Sequence, residues 1–412
     1  MANRTNTVAR DPYYDNTQLP PRKPRVYTKR RKPREITPEI RIVGSVDYVM
    51  LFVVLILVAF GIVMVFSASN LMASNRFNDP LHFVRQNIIF AGMGGVTMWL
   101  LSTLNYELLR PFVPIMYAVA VVLLIAVIAI GETAGGATRW IVLPVIGNFQ
   151  PSELARAVII FTMAYAIERN PTLPKTWKGL GMLAAIIGFI VALIALPGGF
   201  TVALVTAGIG FGMVAVSSPH FGKFVAMGVA AGSAIGGYLY WQYITGGGFR
   251  GSRFGVWLDP FSDPQGRGFQ TIQSLYAIAT GGWLGLGVGG SQQASFVPEP
   301  HNDIIFAIII EETGFLGACV VLFLFGVFIW RGIIVSMRAP DTFSSLIALG
   351  IVFAIGFQAA INIGVVTNTI PNTGVNLPFI SYGGTSLLVT MAMVGVLLNI
   401  SRFSVQKKNK AS

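Results

Sequence analysis

The chain has 412 residues, 54% of them hydrophobic and only 11% charged, with a mean hydropathy of +0.67. Those proportions exclude a soluble globular protein and specify a polytopic membrane protein. A net charge of +12 would suggest nucleic acid in a soluble chain, but here the excess sits in the first 41 residues and beside the apolar runs. Membrane topology accounts for it, and no nucleic-acid partner is expected.

Residues 1–46 hold eleven Lys/Arg, including Lys29-Arg30-Arg31-Lys32, with prolines at 12, 20, 21, 24, 33 and 38. This composition predicts a disordered basic cytoplasmic tail. The apolar segment after Asp47 is too long for a signal peptide and lacks a clear small-residue cleavage site.

Apolar runs follow near 47–68, 83–103, 111–130, 154–167, 179–196, 200–217, 221–243, 304–330, 343–366 and 379–400. Each is close to the ~20 residues that cross hydrocarbon. The fold expected is therefore an all-α polytopic membrane protein of ten transmembrane helices over residues 47–402. Both termini are basic, the second through Arg402, Lys407, Lys408 and Lys410, so 1–46 and 403–412 are read as cytoplasmic tails. Parity then places 22 Lys/Arg inside and six outside, with Arg156 at the outer start of span four. Asp47, at the mouth of span one, reads as a helix cap. The single Cys319 lies in an apolar run and excludes an intrachain disulfide.

The longest loop, about 244–303, falls outside, between spans seven and eight. It opens with Gly246-Gly247-Gly248, carries Arg250, Arg253 and Arg267, and includes Gly268-Phe269-Gln270 to Gln273-Ser274. Residues 272–280 look like a short amphipathic helix, and the glycines at 281, 282, 285, 287, 289 and 290 permit tight turns. A lid or re-entrant element is one reading of this loop; a glycine-rich connector is the other.

The loop ends in Val297-Pro298-Glu299-Pro300-His301-Asn302-Asp303, immediately before the run Ile304 to Ile310. Two carboxylates and one of three histidines thus stand at a water–lipid boundary, where ionisable groups are costly and mark binding or transfer. Asp303 is the candidate working residue; capping of the following helix is the plainer alternative. A second outer cluster is Gly136-Ala137-Thr138-Arg139-Trp140-Ile141 with Gln150-Pro151-Ser152-Glu153-Leu154-Ala155-Arg156. Glu153 and Arg156 share a helix face and can pair, and Arg139 beside Trp140 suits an anionic interfacial group. A third runs from Thr367 to Gly374 and through Leu377-Pro378-Phe379-Ile380-Ser381-Tyr382-Gly383-Gly384. Its prolines and glycines break a helix near the surface and free backbone N–H groups for a ligand. Glu311 and Glu312 lie deeper and point apart; His82 and His220 read as structural. Walker, HExxH and Gly-x-Ser-x-Gly signatures are absent.

The segments around Gln150-Pro151-Ser152-Glu153, Gly268 to Ser274, Pro298 to Asp303 and Pro378 to Gly384 resemble the SEDS proteins (shape, elongation, division and sporulation; the FtsW/RodA/SpoVE family), over about residues 45–402. The resemblance implies a peptidoglycan glycosyltransferase that polymerises lipid II on the outer face of the bacterial plasma membrane. It also implies a class B penicillin-binding protein as partner, with other division proteins at the septum. The family's essential aspartate falls on Asp303. Substrate contacts are expected from Arg139, Glu153, Arg156, Gln270, Gln273, Ser274, Glu299, His301, Asn302, Ser381 and Tyr382. The basic N-terminal tail and Asn-Thr-Gly-Val-Asn-Leu-Pro-Phe look more like the division member FtsW, or its sporulation relative SpoVE, than the elongation member RodA. Departures are Asn302-Asp303-Ile304 for Thr-Asp-Phe, Arg156 for lysine, and Gly198 for an acidic or amide residue.

In the reaction so implied, Asp303, with a raised pKa at a low-dielectric rim, takes the proton of the attacking 4-hydroxyl. The leaving pyrophosphate needs positive charge from Arg139, Arg156, Arg250, Arg253 or Arg267, or from a divalent cation, Mg or Mn. No organic cofactor is expected. A lipid II flippase or other transporter would use similar broken helices but place its ionisable groups near the midplane. A non-catalytic division scaffold is the third reading.

Overall fold

The computed structural model describes residues 44–134, 137–143, 147–245 and 254–403. The tails expected at 1–46 and 403–412 therefore lie almost wholly outside the described residues, as do Arg250, Arg253 and the glycines 246–248. The long helices, in chain order, are α1 Tyr48–Phe77, α2 His82–Thr103, α3 Val113–Ile130, α4 Pro151–Arg169, α5 Trp177–Ala195, α6 Phe200–Ser217 and α7 Phe221–Ile244. After these come α8 Phe269–Gly281, α9 Ile305–Arg338, α10 Thr342–Val366 and α11 Gly384–Arg402.

Among the described residues, seven helices are long and apolar enough to cross a membrane: α1, α3 with its preceding turn, α5, α6, α9, α10 and α11. The other runs expected to span, α2, α4 and α7, are helical without meeting that standard. For α4 the reason is its surroundings. Thirteen of its 19 residues are buried, so protein rather than lipid faces most of its perimeter and an apolar circumference is not required. Helices on the outside of the bundle show the converse, with Phe52, Val122 and Phe323 each more than half exposed, as lipid-facing side chains are.

Polar contacts at the two ends fix helix directions. Tyr382, just before α11, hydrogen-bonds Gln86 early in α2. At the far ends of the same helices, Asn399 Nδ2 donates to the Ser102 carbonyl at 2.8 Å. So α2 and α11 run parallel over their whole length. Arg110, before α3, pairs with Glu168 at the end of α4, which makes those two antiparallel. Asp47 caps α1 as expected, accepting from the Met50 N–H at 3.1 Å, and pairs with Arg331 late in α9 at 2.6 Å.

The expectation of an all-α chain is corrected at one place. Between α3 and α4 the chain forms a three-stranded antiparallel sheet: β1 Glu132–Ala134, β2 Ala137–Leu143 and β3 Gly147–Phe149, in the order β1-β2-β3. Thr138 pairs with Thr133 and Ile141 with Phe149. Thr138, Trp140, Ile141 and Val142 are β-branched or aromatic and suit a pleated surface; the run was too short between spans to stand out in a hydropathy pattern.

The 244–303 connection is not structureless. It contains α8, three residues longer at its start than the helix expected at 272–280, a five-residue helix at 254–258, and short turns at Pro260–Ser262 and Gln293–Ser295. Its glycine-rich part repairs a break in α9. Gly314, at φ 70 and ψ −173, interrupts that helix, and the freed carbonyls of Glu311 and Glu312 accept from the N–H groups of Leu286 and Gly287, each at 2.9 Å. In return the Gly282 carbonyl accepts from the Phe315 N–H at 2.9 Å. Backbone groups at membrane depth need such partners. The Glu311 and Glu312 side chains do point apart, one to Ser291 and the Gln292 N–H, the other to Ser67 at 2.6 Å.

Candidate active site

Asp303 is half-buried at the entrance to α9. The N-cap position belongs to Ile304, so Asp303 is not the residue at the cap itself. Its backbone carbonyl accepts from Asn362 Nδ2 at 2.7 Å, and the same amide donates to the Val375 carbonyl at 2.7 Å. One buried side chain on α10 thus ties the end of the long loop to the segment before α11. The Asp303 carboxylate lies against Gly374: a Cβ at that glycine would stand 3.1 Å from Asp303 Oδ2, and its φ of +66 is one that side chains resist.

Arg139 arrives on β2. Its Nη2 donates to the Gly198 carbonyl at 3.1 Å, while the Thr138 N–H donates to the Pro197 carbonyl at 3.1 Å. The sheet is thereby docked on the turn between α5 and α6, and the backbone of Gly198 holds the guanidinium. Burial pulls the Arg139 pKa down, and the Asp303 charge opposes that shift. The Asp303 cluster and the Arg139 cluster of the sequence pattern therefore meet in one electrostatic field. Arg139 shares a small cavity with Ser152, Pro197 and Val202.

His301 is 1% exposed and packs between Phe83 of α2, at 4.3 Å between ring centroids, and Tyr382, at 5.2 Å. Burial among these rings lowers its pKa to about 4, so it is neutral at physiological pH. The Tyr382 N–H donates to the His301 carbonyl at 2.9 Å. Tyr382 itself is pushed up to about 12, first by burial and then by the Glu299 charge, and it remains a hydroxyl donor to Gln86. Ser381 Oγ donates to the Asn302 carbonyl at 2.8 Å and accepts from the Leu377 N–H at 2.7 Å. Glu299 is exposed, with φ 52, and accepts from Asn302 Nδ2 at 2.7 Å.

Gln270 on α8 accepts from Asn372 Nδ2 at 3.1 Å, which brings the 270–274 motif to the segment carrying Gly374. Gln273 is half-buried, and Ser274 is buried with its hydroxyl spent on the Gln270 carbonyl at 2.9 Å. Glu153 and Arg156 pair with each other, as their spacing predicts, and both are buried. The structure thus bonds His301 to Tyr382 and Asn302 to both Ser381 and Glu299, ties Asp303 to the segment before α11 through Asn362, brings Gln270 to that segment through Asn372, and sets Arg139 in the field of Asp303. Glu153 and Arg156 form a closed pair within the α4 start.

Sequence reasoning missed Asn362 and Gln358. Gln358 Nε2 donates to the Asn376 carbonyl at 3.0 Å, one residue beyond the Asn362 contact. The available signal was two amides four residues apart in an apolar run, which share a helix face and are costly there unless bonded. Among the described residues no three His, Cys, Asp or Glu side chains come together as a metal site.

The Cell cycle protein family of FtsW, RodA and SpoVE matches residues 47–406. Stage V sporulation protein E of Bacillus subtilis (strain 168) is 37% identical, covering 87% of this chain and 98% of its own length. A probable peptidoglycan glycosyltransferase FtsW of Geobacter sp. (strain M18) is 36% identical, with 88% and 98% covered. A solved chain from work on the structural coordination of polymerization and crosslinking by a peptidoglycan synthase complex superposes with a TM-score of 0.72 at 29% identity. That superposition covers 87% of this chain and 98% of the other. Sequence, fold and coverage agree from the first membrane helix to the last, and the chain belongs to the FtsW/RodA/SpoVE family.

Proposed function

We propose that this chain is a membrane peptidoglycan glycosyltransferase that joins lipid II units into glycan strands, with Asp303 as general base. The observation that carries the reading is the convergence of Asp303, pressed on Gly374, with Arg139 from a separate segment in one field. Asp303 takes the proton of the incoming sugar's 4-hydroxyl as that oxygen bonds the anomeric carbon of the growing strand. The bond from that carbon to the lipid pyrophosphate breaks, and the departing oxygen carries away the electron pair. Arg139 offsets the charge that develops there. A divalent cation, Mg or Mn, bound by the pyrophosphate would add positive charge at the same departing oxygen.

Ten spans with both termini cytoplasmic remain the proposed topology, with α2, α4 and α7 as the further three. The directions of α2 and α4 support it, and the 22 residues of α2 extend about 33 Å. That orientation puts Asp303 on the outer face of the plasma membrane. A class B penicillin-binding protein is the proposed partner, and the synthase complex among the structural relatives supports it. The role proposed is septal; sporulation is the second reading, favoured by the Bacillus subtilis relative.

The test is polymerisation of lipid II by purified protein with its class B partner. Asp303→Asn is expected to abolish strand formation while the melting temperature stays within a few degrees. Full activity in that variant would remove Asp303 from the chemistry. Lipid II transport without polymerisation by the parent protein would instead establish the flippase reading.

A further inference from the structure

At the end of the bundle away from Asp303, helices α5, α6 and α7 leave an apolar groove of about 520 Å³. Its floor is Gly181, Ala184 and Gly188 of α5, with Phe211 of α6 and Met227 of α7 as walls. A Cβ added at Gly181 or Gly188 would meet nothing within 4 Å, so the slot is open along the helix. Lys175, before α5, and Lys223, at the start of α7, close one end together with His220. Both lysines are exposed, no carboxylate lines the groove, and neither lysine forms a salt bridge among the described residues.

An apolar slot that ends in two uncompensated cations is complementary to a molecule with an extended hydrocarbon chain and an anionic head. An acyl chain lies along such a slot, and its anionic head meets the two lysines at the end. We propose that this groove binds an anionic glycerophospholipid of the surrounding leaflet, one acyl chain over Gly181 and Gly188 and the phosphate at Lys175 and Lys223. In the proposed orientation this is the cytoplasmic leaflet. The site is separate from the glycosyltransferase reading and stands whether or not Asp303 is catalytic.

The experiment is native mass spectrometry of the full chain released from bilayers of equal phosphatidylglycerol and phosphatidylcholine. The parent protein is expected to retain phosphatidylglycerol preferentially, by roughly fivefold for each lysine. Lys175→Gln with Lys223→Gln should erase the preference without lowering polymerisation. Gly181→Leu with Gly188→Leu, whose new side chains have room, should lose retained lipid of both kinds. Equal retention of the two lipids by the parent, or a preference that survives the lysine changes, would overturn the proposal. So would a protein rather than a lipid adduct on a photoreactive residue placed at Gly188. The lysine variant alters only exposed side chains and keeps the test in force if the filled groove weakens the bundle.

Discussion

The side-chain amide of Asn362 holds the backbone carbonyl of Asp303 at 2.7 Å and cross-links it to Val375 through the same nitrogen. Asn362 is 0% exposed, so no water replaces it when it is removed. Asn362→Leu leaves two carbonyls short of a donor, at a cost of about 1–3 kcal/mol each if they stay dry. The expected outcome is a lower melting temperature and at least a tenfold slower turnover of lipid II, with KM changed less than kcat. Asn362→Asp, which retains the shape without the donor, should resemble Asn362→Leu; a variant with full kcat would reduce the amide to a dispensable contact.

Gly374 meets the carboxylate from the other side. Gly374→Ala pays for a left-handed backbone conformation, about 1 kcal/mol, and sets a methyl group 3.1 Å from Asp303 Oδ2. Strand synthesis should fall several-fold while the melting temperature moves by only a few degrees. A rate equal to the parent would mean that the carboxylate has room to retreat.

His301 makes stability depend on pH in a known direction. Its folded pKa, about 4, lies below the ordinary 6.5, so between those values the unfolded chain binds the extra proton. Stability contributed by neutral His301 is complete above pH 6.5, declines as pH falls, and levels off below about 4. The full difference is of order 3 kcal/mol. Melting temperatures from pH 7.5 to 4.5 should fall less steeply in His301→Leu than in the parent, and parallel curves would disprove the assignment.

Arg139 is held by backbone, its Nη2 donating to the Gly198 carbonyl. Arg139→Gln should therefore leave the fold nearly intact and weaken lipid II binding about tenfold or more, in line with the loss of a charge-assisted contact to phosphate. Binding measured on Asp303→Asn protein separates this effect from catalysis. Unchanged affinity would make Arg139 a strut between β2 and the α5–α6 turn.

Among the described residues, hydropathy located every helix of 18 residues or more, because apolar runs near 20 residues have few alternatives. The caps were legible too: Asp47 reads as a helix start and is one. The sheet around Arg139 was hidden, since three short strands between two spans carry no period of their own. The Glu153 and Arg156 pair followed from spacing, whereas its isolation from solvent depended on packing around α4. Asp303 stood out by its place at the membrane boundary. Its support from Asn362 and Gly374 comes from segments 59 and 71 positions away in sequence, and only the folded chain joins them.

The interruption of α9 at Gly314 has a mechanical side. Ahead of it, residues 305–313 are stitched by their last carbonyls to the glycine-rich loop at 282–287, and that loop returns its own bonds to the segment beyond. The aspartate thus stands at the tip of a short rod whose far end is clamped by the 282–287 loop as well as by its continuation into the rest of α9.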